Sequence, residues 1–189
     1  MFHAPRHPEI DQAAFAELFE RYKRLVYKTA YLMLGDCLEA DEALQEVFVR
    51  VYQSLASFDP QKGAFTTWLY RITINYCLGH QRKRQVVTAP LEEARLVHGD
   101  EPIEANLVKS AERQEVRQAI MALTEKQRAV IILRYYWDLP YSEIAQVLAI
   151  PVGTVKSRLV LALKTLSLKL AGPKTAPRQD ALPALECET

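Results

Sequence analysis

Apolar residues recur every three or four positions through most of this chain, and no stretch alternates long enough to support a sheet. Phe15, Leu18, Phe19, Tyr22, Leu25, Val26, Thr29 and Leu32 predict one amphipathic helix, punctuated by Gly35-Asp36. A second helix, from about Glu39 to Leu55, buries Ala43, Leu44, Val47, Phe48 and Val51. Phe58-Asp59-Pro60-Gln61-Lys62-Gly63 reads as a loop, and a third long helix runs from Phe65 to about Lys83. The period then lapses among Pro, Gly and acidic residues and resumes near Leu107. The prediction is an all-α chain of two helical domains, 12–85 and 110–171, joined by an acidic linker over 86–109. The Pro-rich tail, 172–189, is expected to be disordered.

The densest signal is YSEIAQVLAIPVGTVKSRLVLAL, Tyr141 to Leu163. Ile144, Val147 and Leu148 repeat at helical spacing and Ala149-Ile150 breaks the pattern. Pro151 suits the first turn of a following helix, because its missing N–H has no intrahelical partner there. Val155, Leu159 and Leu163 would line the inner face of that helix, with Thr154, Lys156, Ser157 and Arg158 near its start. Two helices joined by a tight turn, the second polar and basic at its beginning, have the layout of a helix-turn-helix. An αα-hairpin with solvated cations has the same periodicity.

Charge separates these two readings further. The formal net charge is only +1, but residues 119–171 hold seven Lys and Arg against three Asp and Glu. Residues 86–118 hold four against seven, so the basic excess coincides with the helix-turn-helix segment. No apolar run approaches the roughly 18–20 residues that span a bilayer. The N-terminal MFHAPRHPEIDQ has no signal-peptide pattern, so a cytoplasmic protein without membrane insertion is expected. Cys37, Cys77 and Cys187 are widely spaced and form no ligand pattern with His3, His7, His80 or His98, so no metal or cofactor is expected.

The third helix supports two readings as well. Phe65, Trp68, Leu69, Ile72 and Tyr76 form an apolar stripe, with Arg71, Asn75, Arg82, Lys83 and Arg84 outside it. Such a stripe is ordinarily core, and terminal cations suit the helix dipole. Aromatic and basic groups in proximity also suit unstacked single-stranded bases.

ADEALQEVFVRVYQSLASFDPQKGAFTTWLYRITINYCLGHQRKR resembles region 2 of bacterial sigma factors, and LTEKQRAVIILRYYWDLPYSEIAQVLAIPVGTVKSRL resembles region 4. Two regions in this order without an intervening third resemble the extracytoplasmic-function group of the sigma-70 family. The resemblance implies a non-enzymatic initiation factor that directs core RNA polymerase to promoters. It implies that Asp41, Glu42, Gln45 and Glu46 meet the clamp helices of the largest subunit. Phe58, Gln61, Lys62, Phe65, Trp68, Arg71 and Asn75 would capture a flipped base of the minus-ten element, with Lys62, Arg82, Lys83 and Arg84 holding phosphates.

In region 4 the same resemblance implies that Thr154, Lys156, Ser157 and Arg158 read the minus-thirty-five element, with Lys164 on its backbone. Many relatives carry Arg where this chain has Leu161-Ala162-Leu163; its leucines are candidates to pack on the polymerase flap or an inhibitor. Ala149 stands where glycine is common at the turn. An anti-sigma factor is a further expected partner. The rival function is an autonomous helix-turn-helix regulator, but residues 12–85 offer it no evident effector pocket. An enzyme lacks support, since no nucleophile–base constellation or phosphate-cradling Gly-rich loop occurs.

Overall fold

A computed structural model describes residues 11–87 and 107–170, with the side chains of 84–87 and 107–113 left undescribed. Seven α-helices are present among the described residues: α1 (Gln12–Leu34), α2 (Cys37–Ser54), α3 (Phe65–Val87), α4 (Leu107–Met121), α5 (Glu125–Ile131), α6 (Tyr141–Leu148) and α7 (Val152–Leu170). A short 3-10 turn, Leu55–Ser57, follows α2, and a π-helical turn, Ile132–Tyr136, extends α5. The predicted helices are therefore in place, with α3 continuing past Lys83 and α4 beginning inside the predicted linker. The tail 172–189 and most of the linker lie outside the described residues.

Local chemistry explains several boundaries. Asp36 caps α2 by accepting the Glu39 N–H at 3.0 Å. Thr124 and Gln127 form a reciprocal capping box at α5. Gly35 ends α1 at φ 79°, with its N–H donating to the Tyr31 carbonyl at 2.8 Å. The left-handed conformation favours glycine at that position.

The first three helices bury Val26, Val47, Phe48, Val51 and Leu69 in one cluster. A second cluster crosses both predicted domains, combining Ala30, Met33, Ala43, Tyr70, Ile74 and Cys77 with Val130, Leu133, Ile144, Val147, Val155 and Leu159. The two halves thus share an interior, a relationship absent from the sequence-based picture of domains on a linker. Arg128, only 4% exposed, sits at their junction. Its guanidinium donates to the Met33 carbonyl of α1 and to the carbonyls of Ile120, Met121 and Leu123. Gln81 of α3 donates to the same Met33 oxygen at 3.0 Å, while Arg117 of α4 donates to Gly35 at 2.5 Å.

The predicted inner faces and the start of α7 differ from the structure in detail. On α7, Val155, Leu159 and Ala162 are buried while Leu163 is exposed, because the helical turn carries the inner row through position 162. Pro151 precedes α7 as its N-cap residue, its carbonyl accepting from Thr154 and Val155. On α3, Leu69 is fully buried, but Phe65, Trp68, Ile72 and Tyr76 are only partly so. A further face carrying Tyr70, Thr73, Ile74 and Cys77 is buried as well. Contact with the C-terminal half explains part of that burial: Trp137 lies 5.4 Å from Tyr70 between ring centroids.

Candidate nucleic-acid interface

The residues predicted to act in the N-terminal half fall on two faces. Asp41, Glu42, Gln45 and Glu46 are all exposed on α2, the polar half of an amphipathic helix whose Ala40, Ala43 and Val47 face inward. Leu38, Val49 and Tyr52 are also exposed on this helix. Their spacing aligns them with the acidic row, so the face combines carboxylates with apolar surface. The sequence reading missed these three because apolar residues on a core helix ordinarily point inward. Nearby, the Tyr76 phenol is pushed above its ordinary range by burial, then by Glu46 and Glu42. The Arg50 guanidinium lies 5.1 Å from its ring centroid.

Phe58, Phe65 and Trp68 come together as a mutually packed aromatic cluster. The Phe58–Phe65 separation is 5.3 Å between centroids, and each ring lies 5.4 Å from Trp68. Tyr22 extends the cluster at 5.1 Å from Phe65. In the preceding loop the Asp59 carboxylate accepts the Gln61 N–H at 3.0 Å and pairs with Lys62 at 3.2 Å. These bonds shape the exposed turn carrying Gln61 and Lys62.

Trp68, Arg71, Asn75 and Arg82 share one side of α3 over about 21 Å of helix axis. Arg71, Asn75, Arg82 and Lys83 are exposed. The backbone of Arg84 belongs to α3, while its side chain is outside the described set. The C-terminal half borders this side, with α6 packed along α3 and the Thr67 hydroxyl 3.5 Å from the Glu143 carboxylate. Burial first, then Glu143, raises the Tyr70 phenol above its ordinary range.

In the C-terminal half, α6 and α7 meet at 99°, within the helix-turn-helix range. Ala149 makes the turn at φ 51° and ψ 47°. Its N–H reaches the carbonyl of Gln146 at 3.3 Å, and the Ile150 N–H reaches that of Ala145 at 3.0 Å. Lys156, Ser157 and Lys164 are exposed on α7, while Thr154 and Arg158 are half-buried. Lys156 lies 6.0 Å above the Tyr141 ring, and Arg134 lies 5.5 Å from the same ring. This arrangement brings an exposed aromatic and two cations to the start of the second helix. Its backbone turn and outward cations suit entry into a major groove.

A family model described as Sigma-70 region 2 matches residues 18–86, and one described as Sigma-70, region 4 matches 113–166. The chain is 37% identical over 159 residues to the ECF RNA polymerase sigma factor SigW of Bacillus subtilis, covering 79% of this chain and 84% of that protein. It is 33% identical over 164 residues to the ECF RNA polymerase sigma factor SigK of Mycobacterium tuberculosis, with coverages of 82% and 85%. The fold is similar to the sigma factor RpoE in its complex with the anti-sigma factor NepR from Bartonella quintana, at TM-score 0.66 and 21% identity. That similarity covers 85% of this chain and 99% of the other. CnrH in complex with the cytosolic domain of CnrY gives TM-score 0.62 at 24% identity, covering 87% and 92%.

Proposed function

The chain belongs to the extracytoplasmic-function RNA polymerase sigma factors, which direct polymerase to promoters, and on that premise we propose how its exposed faces divide the work. Asp41, Glu42, Gln45 and Glu46 on α2 bind the clamp helices of the largest polymerase subunit, with Leu38, Val49 and Tyr52 contributing apolar contact. Carboxylates beside apolar groups favour a basic amphipathic partner. An anti-sigma factor covering this face would compete directly with polymerase.

The aromatic cluster of Phe58, Phe65 and Trp68 accepts the flipped base of the minus-ten element. Stacking against rings repays part of the few kcal/mol spent on extrusion. Gln61, Arg71 and Asn75 supply polar contacts, while Lys62, Arg82, Lys83 and Arg84 neutralise phosphates. Thr154, Lys156, Ser157 and Arg158 address the minus-thirty-five duplex, with Lys164 on its backbone and the polymerase flap on the remaining surface of this half.

The observation carrying this division is the coexistence of half-buried Phe65 and Trp68 beside exposed Arg71 and Asn75 on α3 with an outward basic helix-turn-helix in the same chain. The minus-ten and minus-thirty-five elements lie tens of base pairs apart, on the order of 80 Å along the duplex. Since α3 and α6 touch, the halves part for both elements to be read together.

The test is run-off transcription from fragmented genomic DNA with core RNA polymerase, in the presence and absence of this protein. Discrete transcripts requiring both components are expected. Absence of transcripts, together with tight sequence-specific duplex binding by the protein alone, would replace this reading with an autonomous regulator.

A further inference from the structure

One exposed feature of α7 is not used by polar base recognition. Val160 is 66% exposed and Leu161 55% exposed. They lie one helical turn beyond Lys156 and Ser157, which are also exposed, and Lys164 lies one turn beyond Val160. The opposite side, Val155, Leu159 and Ala162, is buried where α7 packs on the other helices of the C-terminal half. The outward surface therefore runs from cationic and hydroxyl groups, through two branched aliphatic side chains, to Lys164 and, a turn further, to Leu168, which is 72% exposed.

The whole helix carries Lys156, Arg158, Lys164 and Lys169 and no acidic residue. This electrostatic setting favours a polyanion over an unrelated apolar helix, and it continues the face assigned to duplex reading. Aliphatic groups cannot donate to or accept from a base edge. The apolar group that a base pair presents in the major groove is the thymine C5-methyl. One turn advances about 5.4 Å along a helix, against about 3.4 Å per base step, so side chains one turn apart sample bases about two steps apart.

We infer that Val160 and Leu161 determine promoter specificity by packing against thymine methyl groups in the minus-thirty-five element, about two base steps from the contacts of Lys156 and Ser157. The inference rests on the proposed assignment of α7 to that element and adds the chemical identity of the bases it selects. It commits Leu161 to DNA rather than to the flap or an inhibitor. Leu163, on another side of the helix, is not assigned to these methyl groups.

The test uses holoenzyme assembled from this full chain and core polymerase on a promoter found by run-off transcription. Each thymine of the minus-thirty-five element is replaced in turn by uracil, which removes only the methyl group and retains the pairing edge. Promoter binding is expected to weaken about fourfold for each fully covered methyl. Val160→Ala with Leu161→Ala should weaken binding to the thymine promoter by a similar factor and abolish the uracil effect.

Equal wild-type binding to thymine and uracil promoters would overturn the inference while leaving the initiation function intact. So would an unchanged uracil effect in the double variant, because other residues would then be reading the methyls. Loss of core-polymerase affinity in that variant, without altered base preference, would assign the pair to a protein contact and overturn the inference. Failure of wild-type holoenzyme to initiate at any promoter would instead overturn the functional reading on which it rests.

Discussion

Arg128 of α5 donates a hydrogen bond to the carbonyl oxygen of Met33 near the end of α1, tying the two halves together through a buried guanidinium. The same side chain serves Ile120, Met121 and Leu123, and burial lowers its pKa from the ordinary arginine value. Arg128→Met fills much of the space but removes the guanidinium donor from all four carbonyls, leaving Met33 its Gln81 bond and Ile120 its Leu123 N–H. The expected loss is about 3 kcal/mol of stability, read by urea unfolding. Loss below about 0.5 kcal/mol would show that water or neighbouring groups replace the arginine.

Gly35 faces two constraints at once. Its φ is 79°, and a Cβ built there would lie 2.5 Å from Met121 Cε. Gly35→Ala is expected to cost about 2–4 kcal/mol through backbone strain and crowding. Introducing Met121→Ala beside it should recover part of that loss, giving a positive coupling in a double-mutant cycle. Additive losses would remove Met121 from the explanation.

Ala149 makes the helix-turn-helix turn in a left-handed conformation at φ 51°. Ala149→Gly relieves the Cβ clash but loosens the unfolded chain, leaving a net gain of about 0.5–1 kcal/mol. A melting temperature raised by about 1–4 °C is the expected result. A lower value would mean that the turn holds less strain than glycine costs through the unfolded chain.

Cys37 is exposed, whereas Cys77 is buried and its thiol is pushed up to about 12, principally by desolvation. In a Cys187→Ser background, a thiol reagent should modify Cys37 under native conditions and Cys77 only upon unfolding. The raised acid pKa also fixes the sign of a pH effect. Its contribution to stability is complete below the ordinary value of 9.0 and is lost as pH rises toward about 12. Native labelling of both residues at equal rates would contradict this account.

The proposed division of labour predicts separable losses. Trp68→Ala or Asn75→Ala should slow open-complex formation while retaining polymerase binding. Lys156→Ala with Arg158→Ala should weaken promoter location and flatten its salt dependence. Glu42→Lys with Glu46→Lys should lose polymerase while preserving the circular-dichroism melt. Equal loss of polymerase affinity in all three sets would show that the assigned residues support structure instead.

Most helices were legible in the sequence because Phe15 through Leu32, and Ile144 through Leu159, repeat near the helical period. The turn was legible too, since Ala149-Ile150-Pro151 interrupts that period. Arg128 was less legible: a cation beside Gln127 resembles a solvated residue until Met33 is brought close in space. Tyr70, Thr73 and Cys77 also concealed a second buried side of α3, because polar atoms on each obscure an apolar stripe. Leu163 invites an inward position by its hydrophobicity, but the helical rotation gives that position to the smaller Ala162. The acidic face of α2 was visible as a charge pattern, but its exposed Leu38 and Tyr52 required the fold.

The cluster joining Ala30, Met33 and Ile74 to Val130, Leu133 and Val155 means that parting the two named regions uncovers apolar surface that each now hides in the other. A protease cutting between Val87 and Leu107 would sever their covalent connection without removing this common interior. The resulting fragments would each be an incomplete template for the other, and their reassociation would restore buried contacts that neither sequence could complete alone.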